Sequence, residues 1–290
     1  MKIQNQKWIY LGVLSLVWGS SFILMKKALI GLSPLQLGAL RVLISAIFLL
    51  LIGFKSLKEI QSKHWKYVAI TAFLGTFFPV FLFAYAIEGI DSAIVSILNS
   101  FTPFNTLVFG ALVFGISFKR KQLIGILIGL IGTVILILKG AEHNPDQNYW
   151  YALLIIIASI GYAFNVNIVK KYLSDISALS IVAGNFILLI IPAILVLVFS
   201  DFFSTFEITE SSTKALGYIT VLAIVGTGFA KVLFNKLIHI STPIFSSSVT
   251  YLIPIIAVLW GVVDGEQMSL IQLAAGGIIL FGVYLVNKTK

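Results

Sequence analysis

Two quartets of residues in this chain carry similar chemistry at the same spacing. Ser92, Ser96, Asn99 and Pro103 recur at i, i+4, i+7 and i+11 inside an apolar run, and Pro243, Ser247, Thr250 and Pro254 repeat that spacing 151 positions later. The interval lines each set along one side of a helix. Polar side chains in hydrocarbon are costly and face a bundle interior or a water-filled path, so Ser96, Asn99, Ser247 and Thr250 are candidates to hydrogen-bond a small solute. Pro103 and Pro254 each remove a backbone donor and loosen the preceding turn, which would free carbonyls for solute or water. The alternative is a packing kink, with Ser and Thr bonded back onto their own helix.

Aromatic and amide groups extend the set. Trp18, Ser21, Phe22 and Met25 share one helical face, as do Tyr162 and Asn165, and Tyr85 lies in a third apolar stretch. Aromatic rings with polar tips suit a cavity for an amphipathic metabolite, although such a stripe also serves plain packing. Arg41 and Lys231 are the cations inside apolar stretches. Arg41 is about six residues from the end of its stretch, roughly 9 Å along a helix, close enough for its long side chain to snorkel to the interface. Lys231, one turn before Asn235, could snorkel, bind an anionic group or release a proton.

Other chemistries lack their residues. No nucleophile with an acid–base pair converges, and no two His, Asp or Glu lie together in mid-stretch, which argues against an intramembrane enzyme. His64, His143 and His239 match no metal-ligand spacing, and the absence of cysteine excludes disulfides and thiol chemistry. No metal and no cofactor are expected. Gly226–Thr227–Gly228 lacks the strand and helix that flank a phosphate-binding loop, and reads as a flexible or tightly packed piece of helix.

The elements that must position these groups are membrane spans. The chain is 59% hydrophobic and 11% charged, against about 25% charged residues in soluble proteins, and its mean hydropathy is +1.04. Ten stretches approach the roughly 20 apolar residues that cross a bilayer: 8–25, 35–53, 67–87, 93–114, 122–138, 149–169, 178–199, 215–237, 244–263 and 270–286. The first runs on to Lys26 without a small-residue cleavage site and reads as a retained span.

Lys and Arg accumulate in cytoplasmic loops. With the N-terminus inside, the inner loops collect Lys2, Lys7, Lys55, Lys58, Lys63, Lys66, Lys119, Arg120, Lys121, Lys170, Lys171, Lys236, Lys288 and Lys290. The outer loops then hold only Lys26, Lys27, Lys139 and Lys214. Nine of the 11 acids fall outside, Glu59 and Asp175 being the exceptions. The formal charge of +9 alternates with the spans and forms no patch, so no nucleic-acid partner is expected. The partners are the lipid bilayer and a small-molecule substrate.

The chain is also an internal repeat. Shifting it by 151 places Gly75, Thr76, Phe78, Leu82, Phe83, Ile87 and Gly125 on Gly226, Thr227, Phe229, Leu233, Phe234, Ile238 and Gly276. An odd number of spans per half turns the second copy upside down, as in many secondary transporters. The expected fold is therefore all-α and polytopic: ten transmembrane helices as two inverted five-helix repeats, over 1–140 and 149–290, joined by a polar linker at 141–148, with cytoplasmic termini. A shift of 142 relates Gly19 and Phe22 to Gly161 and Phe164, which puts about nine extra residues in the loop 200–214, where insertions are tolerated. Gly125 and Gly129, with Gly276 and Gly277, permit close helix approach, either between the halves or in a dimer, so a monomer and a homodimer both stand.

The segments WGSSFILMKKAL at Trp18–Leu29 and SPLQLGALR at Ser33–Arg41 resemble the opening of EamA-type members of the drug/metabolite transporter superfamily. The tail from Val249 to Val286, with its Gly265–Glu266 pair, resembles the end of the second repeat of that family. The resemblance implies ten spans in two inverted repeats, a cavity lined by spans one, three, four, six, eight and nine, a structural role for Arg41, and export or exchange of small metabolites such as amino acids in the cell membrane. First repeats of the family often carry a Gly-Glu pair too; here Glu266 aligns with Gly115, and the acid is present once. Lacking a visible cluster of paired Lys and Arg, the cavity is expected to take neutral or zwitterionic compounds in preference to phosphorylated ones. A channel-like facilitator would share the composition.

Overall fold

A computed structural model describes residues 3–115 and 120–288. Lys2, Lys119 and Lys290, which enter the charge count above, lie outside them. The described residues form helices and turns with no strand. Eight helices are long and apolar enough to cross a membrane: α1 (Asn5–Ala28), α2 (Pro34–Glu59), α3 (Ser62–Gly89), α4 (Ser92–Phe114), α6 (Tyr149–Tyr172), α7 (Ala178–Phe199), α8 (Glu210–Ile240) and α9 (Pro243–Val263). The remaining two of the ten expected stretches are the helices α5 (Arg120–His143) and α10 (Leu270–Lys288), whose apolar portions are the shorter Leu127–Lys139 and Leu270–Gly282.

Local chemistry sets where the helices begin. Ser33 and Gln36 form a reciprocal capping box ahead of Pro34 in the first turn of α2, which satisfies donors that the helix leaves free. The loop expected to carry the extra residues holds a short helix, Phe202–Thr205, entered through Asp201 at φ 56°.

The helices pack α5 along α10, α2 along α7, α4 and α3 against α6, and α1 against α9. A Cβ on Gly282 would fall against the backbone of Gly125 and Gly129, so the small-residue step of α5 serves its contact with α10, which joins the two halves. Close approach of this kind replaces the hydrophobic gain that helix association lacks in lipid. Phe22, Leu37, Phe83, Ile94, Leu98, Ile155 and Ile219 belong to the central core. Leu51, Leu112, Ile191, Phe199 and Val263 are exposed on the outside, as expected of a surface solvated by acyl chains.

Four helices are interrupted in their middles. The backbone of α3 widens into a π-helix at Phe73–Phe77 and that of α8 does so at Leu222–Phe229. Helix α4 breaks between Asn99 and Thr102, and α9 passes from Pro243–Ser247 through a 3-10 turn at Ser248–Tyr251 to Ile253–Val263. Each pair of interruptions overlaps under the 151-residue shift. Pro103 and Pro254 sit in the first turn of the second half-helices, where the missing N–H costs nothing. They mark restarts, not kinks in a continuous helix.

Candidate functional site

The four interruptions surround one cavity, with about 790 Å³ of empty space, whose wall also draws on α1, α2 and α6. Of the residues singled out by spacing, Trp18, Ser21, Phe22, Asn99, Tyr162, Asn165, Lys231, Ser247 and Thr250 line it. Tyr85, Ser96 and Asn235 do not. The Ser96 hydroxyl turns back to Ala93 O at 2.6 Å, and the Asn235 amide donates to Lys231 O at 2.9 Å. Gly75, Thr76, Thr102, Thr227 and Arg41 join the wall without having been proposed as site residues. The Gly75–Thr76 and Gly226–Thr227 pairs were visible as the start of the repeat; nothing in their types announced a cavity.

The π-helices explain the glycines. A π turn displaces carbonyls from the regular helical ladder, and both repeat-related glycines offer theirs to side chains. Trp18 Nε1 donates to Gly226 O at 2.9 Å, and Lys231 Nζ donates to Gly75 O. A Cβ on Gly75 would strike the Asn165 side chain, so any larger residue would have to push Asn165 aside where α3 crosses α6. The breaks in α4 and α9 are held differently. Thr102 Oγ1 donates to Asn99 O at 2.8 Å, Thr250 Oγ1 to Ser247 O at 2.9 Å, and Ser100 Oγ crosses to Thr250 O at 3.0 Å. These carbonyls, expected to be free for solute, are thus occupied by hydroxyls.

Arg41 does not snorkel outward. It points inward, Nε donating to Thr227 Oγ1 at 2.7 Å and Nη1 contacting Met25 Sδ at 3.3 Å. Lys231 follows Thr227 by one helical turn, and both cations line the cavity. The Lys231 ammonium also lies 5.8 Å from the Tyr162 ring centre, a cation–π distance. Tyr162 continues into Phe83 and Phe22, with successive ring centres 5.9 Å apart, and Trp18 packs edge-on against Phe234 at 5.0 Å. The sequence showed no paired cations because Arg41 and Lys231 belong to different halves; the fold brings them to one wall.

A separate ionic cluster closes one end of the bundle. Glu266, 8% exposed, accepts from Ser92 Oγ at 2.6 Å, Ser92 N at 3.1 Å, Ala93 N at 3.0 Å and Lys26 Nζ at 2.9 Å. The carboxylate therefore caps the N-terminus of α4, where free N–H groups and the helix dipole favour an anion. Lys26 also meets Asp264 at 2.9 Å, and Lys27 pairs with Asp264 as well. These ammonium groups, Lys27 first, hold the Asp264 carboxyl below the usual carboxylate range. Nearby, burial pushes the Asp91 carboxyl up, and Gln147 Nε2 donates to it at 2.7 Å. At the other end, His64 Nε2 lies 3.0 Å from Asp175, which His64 and Lys63 hold low. No three His, Asp or Glu gather in a metal-sized group among the described residues.

The sequence profile of the EamA-like transporter family matches residues 6–138 and 149–288. A relative from Escherichia coli strain K12, "Uncharacterized inner membrane transporter YedA", is 29% identical over 287 residues, covering 96% of this chain and 89% of the relative. A "Probable amino-acid metabolite efflux pump" of Salmonella typhimurium is 27% identical over 277 residues, covering 93% of this chain and 90% of the relative. One solved crystal structure superposes with a TM-score of 0.68 over 98% of this chain and 96% of that chain, at 17% identity, and so has the same fold.

Proposed function

The chain belongs to the EamA-like transporter family of the drug/metabolite transporter superfamily, and from that premise we propose that it exports or exchanges small metabolites, amino acids or related compounds, by alternating access. That it is a multi-pass cell-membrane transporter follows from the family and the apolar helices; substrate and mechanism are the proposal. The observation that carries it is the central cavity at the meeting of four broken helices. Transporters bind near the bilayer midplane where helices are discontinuous, and rock one repeat against the other.

In this reading α5 and α10 complete ten spans as two inverted five-helix repeats, over 1–140 and 149–290, and both termini are cytoplasmic. The charge pattern supports that orientation, and it puts the Lys26–Glu266–Asp264 cluster on the outer side. Asn99 and Thr250 would bind substrate with Trp18, Tyr162 and Asn165. The name of the Salmonella relative favours amino-acid metabolites. One chain encloses the whole cavity, so a monomer would suffice.

Counterflow in proteoliposomes tests the proposal. Vesicles preloaded with one unlabelled compound should accumulate the same labelled compound saturably, and Asn99→Ala should abolish this while the purified variant elutes as wild type. Flux that rises linearly with concentration, without counterflow, would replace the carrier with a channel-like facilitator.

A further inference from the structure

We infer that the cavity selects an organic carboxylate without an ammonium group: an anion with an apolar or aromatic body, held by Arg41 and Lys231. The inference rests on the transporter reading for its biology, replaces the amino acids of that reading by carboxylates that lack the α-ammonium, and takes its chemistry from separate observations. All 11 acidic residues of the chain lie within the described part, and none lines the cavity. Neither cation takes part in any of the ion pairs among the described residues. Two basic side chains therefore line one wall of the cavity with no acid beside them.

Cations within a membrane are expensive unless paired or hydrated, and an anionic ligand supplies the missing charge. Their donors are also only partly used. Arg41 spends Nε on Thr227 and one Nη1 contact on Met25, and Lys231 spends one N–H on Gly75 O. An arginine has five N–H donors and a lysine three, so both side chains, which line the cavity, keep spare donors, a set suited to the two oxygens of a carboxylate. On the same wall Thr76 is 1% exposed and its buried hydroxyl has no hydrogen-bond partner. The Asn165 amide, 5% exposed, lines the cavity as well.

The rest of the wall decides the body of the ligand. Phe22, Val80, Phe83, Tyr162 and Phe234 offer apolar surface beside the cations. For the α-ammonium of an amino acid the cavity has only neutral acceptors and ring faces, close to two like charges. A zwitterion would regain less of its hydration than the matching carboxylate, and an amine less still.

A set of probes with a common body isolates the head group: 3-phenylpropionate, phenylalanine, 2-phenylethylamine and 2-phenylethyl phosphate. Binding is read as the ligand-induced rise in melting temperature of the full-length purified protein, and transport as counterflow in proteoliposomes. We expect 3-phenylpropionate to bind at least about tenfold more tightly than phenylalanine, in line with one charge-assisted hydrogen bond, and 2-phenylethylamine not to bind. Lys231→Met should weaken 3-phenylpropionate by about tenfold or more, and Lys231→Arg should restore it. That rescue separates ligation from a fault in folding.

If phenylalanine or the amine binds as well as the carboxylate, if the phosphate binds better, or if no probe binds, the inference is overturned. Carboxylate binding that Lys231→Met removes, without counterflow of any probe, would keep the anion site and overturn the alternating-access reading. Counterflow of phenylalanine that is indifferent to Lys231→Met would do the reverse.

Discussion

Lys26 and Lys27 at one end of the bundle, and Arg41 and Lys231 at its centre, are four cations with opposite surroundings. The terminal pair faces two carboxylates, one of which also takes the free N–H groups at the start of α4. The central pair faces a threonine hydroxyl, a thioether, a glycine carbonyl and a tyrosine ring. The first arrangement is complete and the second is not. Completeness is what a structural clamp requires, whereas a site that must release its ligand each cycle leaves charge open for it. Arg41, read from the sequence as structural, belongs by this criterion with the ligand-facing group.

The sharpest way to break the comparison is to remove one charge from each region. Glu266→Ala would strand the N–H groups of Ser92 and Ala93 and leave Lys26 with Asp264 alone, a loss of about 3 kcal/mol for a buried partner, and should lower the melting temperature clearly. Lys231→Met removes a cation that has no acid, and should leave the melting temperature at or above that of wild type while abolishing transport. If both variants lose similar stability, Lys231 is a structural residue and the distinction fails.

A smaller effect should follow from Gly75→Ala. The added methyl displaces Asn165 and with it the fit of α3 against α6, an overpacking strain of about 1–3 kcal/mol. We expect transport to fall about tenfold, with the protein still folded, since the change lies at the wall and not in the clamp. Unchanged counterflow would show that the π turn of α3 can yield without consequence.

The terminal cluster can be dissected by pH. Asp264 is held below its ordinary value of 3.8 by Lys27 and Lys26, so its pairing contributes stability above that pH and loses it as pH falls through the lower folded value. Asp264→Asn should therefore melt earlier than wild type at pH 7, by about 1 kcal/mol or less for so exposed a pair, and the gap should narrow below pH 3.8. A gap that persists at low pH would assign the loss to packing.

How much of this was legible in the sequence follows the range of each signal. Asn99, Thr250, Trp18, Tyr162 and Asn165 share helical faces that local periodicity displays, and they do line one wall. The placement of Arg41 and Lys231 on one cavity wall depends on two elements 190 positions apart, and no periodicity reports which parts of the two halves come together. Glu266 stood out in the sequence through its Gly-Glu pair but without a role, because its partners, Lys26 and Ser92, lie at distant helix ends. The π turns were hidden as well: glycine at 75 and 226 permits many backbones, and only packing against Asn165 and Trp18 selects this one.

The smallest predicted effect tests the boundary of the site. Tyr85 and Ser96 share residue types with the lining groups, and Ser96 a helical face with Asn99, yet both stand outside the cavity, and the Ser96 hydroxyl is already spent on Ala93 O. If position on the wall decides function, Tyr85→Phe and Ser96→Ala should each change counterflow less than about twofold: the first keeps its ring, and the second removes a satisfied local hydrogen bond, which costs about 1 kcal/mol or less and acts on stability first. Thr76→Val makes the matching test from inside the wall, because it replaces an unpartnered hydroxyl with a methyl of the same shape. Folding should tolerate that swap, as a buried hydroxyl without a partner contributes nothing to stability. Any loss of substrate affinity it produces therefore reports a contact with the ligand. An inert Thr76→Val beside a damaging Tyr85→Phe would move the binding site away from the broken helices and toward the end of α3.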